Sequence, residues 1–428
     1  MSTGPRTLSA TALLLLAACA APTQYLVNTT SDFPDTNPGD NVCAGRGNLC
    51  SLRAAIEETN AHPAGKPVLI GVPAGTYDLN GELTLTHDRV TVSGDDRDTT
   101  IIRQTQLGKR VLTISTSGDI WIGRVTLRDG STGNSGGAIR IDGNGSHSLT
   151  LNECRIRDNR AGFLGGGVYA QGANGGLNIF NCVVQDNDST GNGCTSGGGQ
   201  SGGGGIMVKG PRLTLFRTEV RDNCGSNGGG VRIQGGVDHL ILQSTIAGNG
   251  SATRAGGLYI YGGAKGRIED STIAENNGPE AGGVLISDGN FIIKSATIVG
   301  NISLGTSSGP TGAGGILSTD GASVSLKNTV IASNNGAPIE CQGPFASSGG
   351  NFVGTNEADC DIAANATDVL DGGSPGLGSL FPSGPTRVML PTATSPLVNA
   401  GVAGCGPTDQ RGQPAPVGAC DIGAVERQ

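Results

Sequence analysis

Apolar and polar residues alternate along this chain in runs of only a few residues, each cut off by glycine, asparagine or another turn former. Alternation of period two marks strands buried on one face. Seven of these runs end alike: Cys-Arg-Ile156-Arg-Asp-Asn159, Cys-Val-Val184-Gln-Asp-Asn187, Thr-Glu-Val220-Arg-Asp-Asn223, Ser-Thr-Ile246-Ala-Gly-Asn249, Ser-Thr-Ile273-Ala-Glu-Asn276, Ala-Thr-Ile298-Val-Gly-Asn301 and Thr-Val-Ile331-Ala-Ser-Asn334. The asparagines are 28, 36, 26, 27, 25 and 33 residues apart. Three residues before each stands Ile or Val. Five residues before stands a small residue: Cys154, Cys182, Thr218, Ser244, Ser271, Ala296 or Thr329. Positions two apart on a strand share a face, so the two rows read as stacked inward positions of a narrow core. Gly-Gly pairs ending at Gly137, Gly167, Gly205, Gly230, Gly257, Gly283 and Gly315 each open a further short apolar run, and glycine allows the tight corner that a solenoid requires.

Short strands at a period near 26 predict an all-β, single-stranded parallel β-helix of roughly ten to twelve coils, each rising about 4.8 Å. The asparagine is expected to turn the chain through the left-handed region and to link amide to amide along the axis. A β-propeller or a sandwich would need about 40-residue blades or two-residue hairpins, and neither period is present. An open strand edge at the end of a solenoid invites aggregation unless it is covered. Ser51 to Asn60 places Leu52, Ala55, Ile56 and Thr59 on one helical stripe, with Ser51 as N-cap and Pro63 beyond, which predicts a capping helix. The expected organisation is a signal segment over 1–18, a tether and first strand over 19–49, the capping helix over 50–64, the β-helix over 65–340, and C-terminal coils with a disulfide-stapled cap over 341–428.

Composition narrows the class. Of 428 residues 75 are glycine, with one Trp, five Tyr and eight Phe, too few for an ordinary aromatic core. Glycine follows no three-residue period, so collagen is excluded. A formal charge of −8 without a basic run argues against nucleic acid. Arg6 followed by the apolar run Leu8 to Ala18 reads as a secretory signal, too short to span a bilayer. Its end, Leu16-Ala-Ala-Cys19, resembles the bacterial lipobox, which implies acylation of Cys19 and, with Ala20 following, export to an outer membrane; an ordinary signal cleaved after Ala18 or Ala20 is the alternative. Apart from Cys19, ten cysteines remain, an even number that suggests disulfides in an exported chain. Spacing pairs Cys43 with Cys50, Cys341 with Cys360, Cys405 with Cys420 and Cys194 with Cys224. Cys154 and Cys182 fall one coil apart in the inward row, where Cβ atoms stand wider than a disulfide favours, so they are either bonded or buried thiols. No CxxC pair or neighbouring His indicates zinc.

Several stretches resemble a known family. Cys50-Ser-Leu-Arg-Ala-Ala-Ile-Glu57 is similar to the CSLREA box of bacterial right-handed β-helix surface proteins, with Ala54 and Ala55 where that box has Glu and Ala. Val72-Pro-Ala-Gly-Thr-Tyr77 and the run from Thr91 to Ile102 look like that family's first coil. Ser395-Pro-Leu-Val-Asn-Ala-Gly401, Asp409-Gln-Arg-Gly412 and Cys420-Asp-Ile-Gly-Ala-Val-Glu426 resemble the choice-of-anchor Q region. The resemblance implies a pectin-lyase-like right-handed β-helix and a surface location, and no shared activity. That family carries anchors after the final Glu; with two residues after Glu426, attachment is expected through a lipid on Cys19.

Candidate chemistry is sparse. The galacturonase motifs and the pectate-lyase Arg-x-Pro-x-x-Arg motif are absent from the sequence. Asp95-Asp96 is expected to close a turn, and His62, His87, His147 and His239 to be solvated loop residues. The best candidate row is Asp158, Asp186 and Asp222, preceded by Arg157, Gln185 and Arg221, with Glu275 at the matching place two coils on. In register these carboxylates would stand about 5 Å apart and so hold Ca²⁺ or touch glycan hydroxyls; otherwise they are turn residues balanced by arginine, and no cofactor is needed. Two functions follow: a non-enzymatic surface lipoprotein, a stalk or adhesin-like module binding polysaccharide or a surface protein, or a carbohydrate-active lyase or hydrolase. A cleft with converging carboxylates and basic groups separates them.

Overall fold

Every turn of the chain contributes three short strands, and each strand pairs in parallel with its counterpart one turn on. The computed structural model describes residues 21–142, 148–172, 175–190, 194, 201–305, 312–336, 340–415 and 419–427; the expected signal segment, Cys19 and His147 lie outside them. The first sheet stacks Leu83–Leu85, Leu112–Ile114, Ile139–Asp142, Val168–Gln171, Ile206–Lys209, Val231–Gln234 and Leu258–Tyr261. The second runs from Thr23–Leu26 through Val68–Val72, Val90–Gly94, Asp119–Gly123, Ser148–Asn152, Gly176–Phe180 and Arg212–Phe216. The third stacks Gly75–Leu79, Thr100–Gln104, Thr126–Arg128, Arg155–Arg157, Val183–Gln185, Glu219–Arg221 and Thr245–Ala247. Two long strands, Ala264–Ala274 and Val284–Val299, turn a corner and carry the pairing onward. The architecture is a parallel β-helix.

The core is the inward row read from the repeat. Ile156, Val184, Val220, Ile246, Ile273, Ile298 and Ile331 are all fully buried, each worth roughly 1.5–3 kcal/mol of transfer free energy. The repeating asparagines are buried too, and here the expectation needs correction. The left-handed residue is the one before: Asp158, Asp186, Asp222, Gly248, Glu275, Gly300 and Ser333 have φ between 54° and 66°, as does Asp129 at the matching bend one coil earlier, where Gly130 follows. That bend swings the following asparagine inward. Its Nδ2 then donates to Oδ1 of the next: Asn159 to Asn187, Asn187 to Asn223, Asn223 to Asn249, Asn249 to Asn276, Asn276 to Asn301 and Asn301 to Asn334, at 2.9–3.0 Å. The row closes on a carboxylate, Asn334 Nδ2 donating to Glu340 Oε2 at 2.8 Å. The glycines beside this row are packed flush against it: a Cβ on Gly230 would stand 2.9 Å from the Asn249 amide.

A second polar row runs through the small inward residues. Backbone N–H groups of Cys154, Thr218 and Ser244 donate to Cys182 Sγ, Ser244 Oγ and Ser271 Oγ at 3.1–3.2 Å. Thr329 N–H donates to Asn351 Oδ1, and Asn351 Nδ2 to Asp368 Oδ1. Cys154 and Cys182 are free thiols, both buried. Disulfides join Cys43 to Cys50, Cys194 to Cys224, Cys341 to Cys360 and Cys405 to Cys420.

Helix α1 spans Leu52–Ala61, its N-terminus capped by Ser51 Oγ accepting from Ala54 N at 3.0 Å. It buries Leu52, Ala55, Ile56 and Thr59 over the first coil, and Glu58 as well, whose carboxylate accepts from Gly39 N and Asn41 N. Beyond Cys360–Ala363 the chain folds back as a strap across the third sheet. Gln410 Nε2 donates to Thr245 Oγ1, Thr272 Oγ1 to Gln410 Oε1, and Ala424 N to Thr297 Oγ1, at 2.6–3.0 Å. The strap's hairpin, Phe381–Ser383 against Thr386–Val388, marks where this covering ends.

Candidate functional site

On the third sheet ahead of the strap, alternate residues face outward and the in-register pairing stacks them into columns. One column is Asp78, Arg103, Arg128, Arg157, Gln185 and Arg221, one residue per coil, about 4.8 Å apart. The bend residues Asp129, Asp158, Asp186 and Asp222 stand beside it. Arg103 makes two parallel bonds to Asp78, both 2.7 Å. Arg128 meets Asp129 at 2.8 Å and Asp158 at 3.5 Å.

The structure therefore places Asp158, Asp186 and Asp222 on successive coils, as an edge row and not as a converging cluster. Each is held by its own predecessor: Arg157 at 2.7 Å, the Gln185 amide at 2.7 Å and Arg221 at 2.5 Å. Glu275 continues the row of bends. Ca²⁺ takes six to eight oxygens, and a guanidinium or an amide donor beside each carboxylate does not fit that requirement. Cys405, Cys420 and Glu426 bring ligand atoms within 4.8 Å of one another, but both sulfurs are spent in a disulfide, so no thiolate is available.

Deeper geometry lies where this face meets the strap's hairpin. A cleft of about 430 Å³ is lined by Arg97, Val183, Glu219, Arg221, Arg387 and the hairpin residues Pro382, Gly384, Pro385 and Thr386. A second, about 340 Å³, is lined by Asp96, Arg97, Asp98, Glu153, Asn181 and Pro385. They share Arg97 and Pro385. The turn Asp96–Thr99 presents Arg97, whose Nη1 donates to Asn181 O at 2.9 Å. Glu219 sits between two guanidiniums, Arg221 and Arg387, each at 3.6 Å, and accepts the Arg387 backbone N–H at 2.6 Å. At the far end of the same face, Asp78 borders a 660 Å³ hollow with Asp32, Phe33, Arg46 and Asn80.

Sequence reasoning missed Arg97, Glu219 and Arg387. Glu219 was within reach, being two residues before Arg221 on one strand and so on the same face. Arg387 was not, because strap docking has no periodic signal. Two histidines also need correction: His87 and His239 are buried. His239 occupies an inward position, its Nδ1 accepting from Leu213 N and its Nε2 donating to Gly235 O, and stacks on Phe291 at 6.4 Å; burial lowers its pKa. The Asp95-Asp96 pair does close a turn, Asp95 accepting from Ala74 N and Asp96 O from Thr100 N. On the first sheet Tyr259 and Tyr261 stack at 4.7 Å with Arg232 over Tyr261 at 4.9 Å, an aromatic patch that the glycine-rich loops did not suggest.

Residues 199–367 match the family model for a right handed beta helix region. Among solved structures, the crystal structure of pectate lyase Pel9A aligns over 95% of this chain and 98% of its own, with TM-score 0.53 and 13% identity. The fold is a right-handed, pectin-lyase-like parallel β-helix. The A-module of Azotobacter vinelandii mannuronan C-5 epimerase AlgE4 aligns over 74% of this chain and 95% of its own, at TM-score 0.37 and 18% identity. No curated protein matches the chain. Along this β-helix the candidate site is therefore the charged third-sheet face and the double cleft at its end.

Proposed function

We propose that the chain is a non-enzymatic, exported β-helix module, tethered to a membrane by lipid on Cys19, that binds polysaccharide along the third-sheet face. One observation carries this reading: Arg97, Glu153, Glu219, Arg221 and Arg387, from separate segments of the chain, converge on one open double cleft. Guanidinium and carboxylate groups of this kind hydrogen-bond sugar hydroxyls and carboxylates, and charged partners make the stronger bonds. The face ahead of the cleft repeats its donors and acceptors once per coil, which suits an extended chain lying along the axis. Against chemistry stands the engagement of the candidate carboxylates, Asp158 and Asp222 by arginine and Asp186 by the Gln185 amide; a general acid or base needs a free position beside the reacting atom.

The test is a polysaccharide panel on the mature protein, followed both for binding and for release of reducing or unsaturated ends. Binding without products, weakened at least tenfold by Arg221→Ala, is the expected result. Product release that disappears in Glu219→Gln would overturn the non-enzymatic reading and make the cleft a lyase or hydrolase site.

A further inference from the structure

The two halves of the cleft differ in sign. The half against the strap is lined by three guanidiniums, Arg97, Arg221 and Arg387, around the single carboxylate Glu219, with Arg221 also held from outside the cleft by Asp222 at 2.5 Å. The other half has three carboxylates, Asp96, Asp98 and Glu153, with Arg97 alone between them and the first half. Asp98 is engaged by Arg155 at 2.5 Å. Among the described residues, Asp96 and Glu153 are held by local donors, the Asp98 N–H at 2.7 Å and the Asn152 amide at 3.2 Å, and both residues are exposed. Strand register fixes the separation. The halves meet on the coil of Asn181 and Val183, with Glu153 on the coil before it and Glu219 and Arg221 on the coil after, so Glu153 and Glu219 stand two coils, about 10 Å, apart along the axis.

We infer that this double cleft takes an amphoteric saccharide, with a sugar carboxylate in the Arg221–Arg387 half and a free sugar ammonium in the Asp96–Glu153 half. The inference rests on the polysaccharide-binding reading and adds the chemistry of the ligand. A polyanion lying across both halves meets Asp96 and Glu153, a polycation meets the arginines, and like charges brought together are what suppress the wrong partner. An alternating uronate and amino-sugar chain satisfies both halves within roughly a disaccharide.

The probes are a hyaluronan hexasaccharide and its de-N-acetylated form, which differ only in exposing the amines, with oligogalacturonate and a chitosan hexamer as single-sign controls. Titration calorimetry at pH 6, where the amines are charged, should show the de-N-acetylated form binding about tenfold tighter than the other three. Asp96→Asn with Glu153→Gln should bring the two hyaluronan forms to the same affinity, and Arg221→Gln should weaken both. These positions are exposed or half-exposed, and an unchanged melting curve shows that each variant is folded. Equal affinity for the two forms, or a preference that survives the Asp96/Glu153 double variant, overturns the inference. Binding of some other glycan with no response to either form overturns it while leaving the binding reading intact; no binding to any glycan overturns both.

Discussion

At each bend two neighbouring residues divide the work: the first takes positive φ and the second turns inward to hydrogen-bond. Both Asp and Asn tolerate the left-handed region, so the Asp-Asn dipeptides at 158, 186 and 222 did not disclose which one bends. The repeat disclosed only that one of them must. Gly248 and Gly300 occupy the same place at φ 65° and 66°, so Asp186→Gly is expected to leave stability within about 0.5 kcal/mol, whereas Asp186→Val should cost roughly 1–2 kcal/mol for a β-branched residue at positive φ. Urea unfolding of the two variants measures the difference. The buried asparagine is less forgiving. Asn249 accepts from both the backbone and the side chain of Asn223 and donates to Asn276 and to Val220 O. Asn249→Ala leaves several of these groups unmet at roughly 1–3 kcal/mol each, and its midpoint should fall well below that of Asp186→Gly. The inward row of Ile and Val was legible for the opposite reason: burial imposes one residue class, and the period displays it.

Helix α1 was readable because a helix carries its own signals, a cap and a stripe, within ten residues. The strap carried no such signal. Its contacts join residues far apart in the chain, from 74 residues for Asn328 with Val402 to 168 for Glu219 with Arg387, and only its disulfide showed in the spacing. Beneath it Asp270 is buried, with Lys294, Glu269, Asp409 and Glu426 as its charged surroundings, and desolvation raises its pKa from 3.8 to about 7. Glu426, with Asp421, Asp409 and Arg411 around it, is likewise raised by desolvation to about 7. A carboxyl that is harder to ionise in the folded protein contributes stability that is complete below its unfolded pKa and lost as pH rises through the folded value. The docked strap is therefore expected to be firmer at pH 5 than at pH 8. Limited proteolysis around Pro382 should be faster at pH 8, and Asp270→Asn should reduce the contrast; equal cleavage at both pH values would show that the two carboxyls do not govern docking.

The assembled molecule presents one long face that starts at the Asp78 hollow, runs along alternating arginines and aspartates, and ends in a cleft roofed by the strap. The coils of this face follow from the repeat, but the cleft arises only when the chain returns on itself, so its floor was legible and its roof was not. The proposed membrane attachment can be checked apart from the ligand. Cys19→Ala is expected to abolish incorporation of labelled fatty acid and move the protein from the membrane to the soluble fraction, whereas a processed, unlipidated wild type would remove the tether from the proposal.

Both inner hydrogen-bonded rows finish on an acidic side chain. Asparagine can both receive and give, so each copy hands the row to the next. Glu340 and Asp368 receive from Asn334 and Asn351, and a carboxyl group, unlike an amide, has no N–H to hand on. Each acts as a full stop in a sentence of amides. The ladders, not the coils, are thus punctuated in the chain itself: the first stops at Glu340 while Cys341–Ser347 and Phe352–Val353 carry the stacking onward, and the second stops one coil later at Asp368.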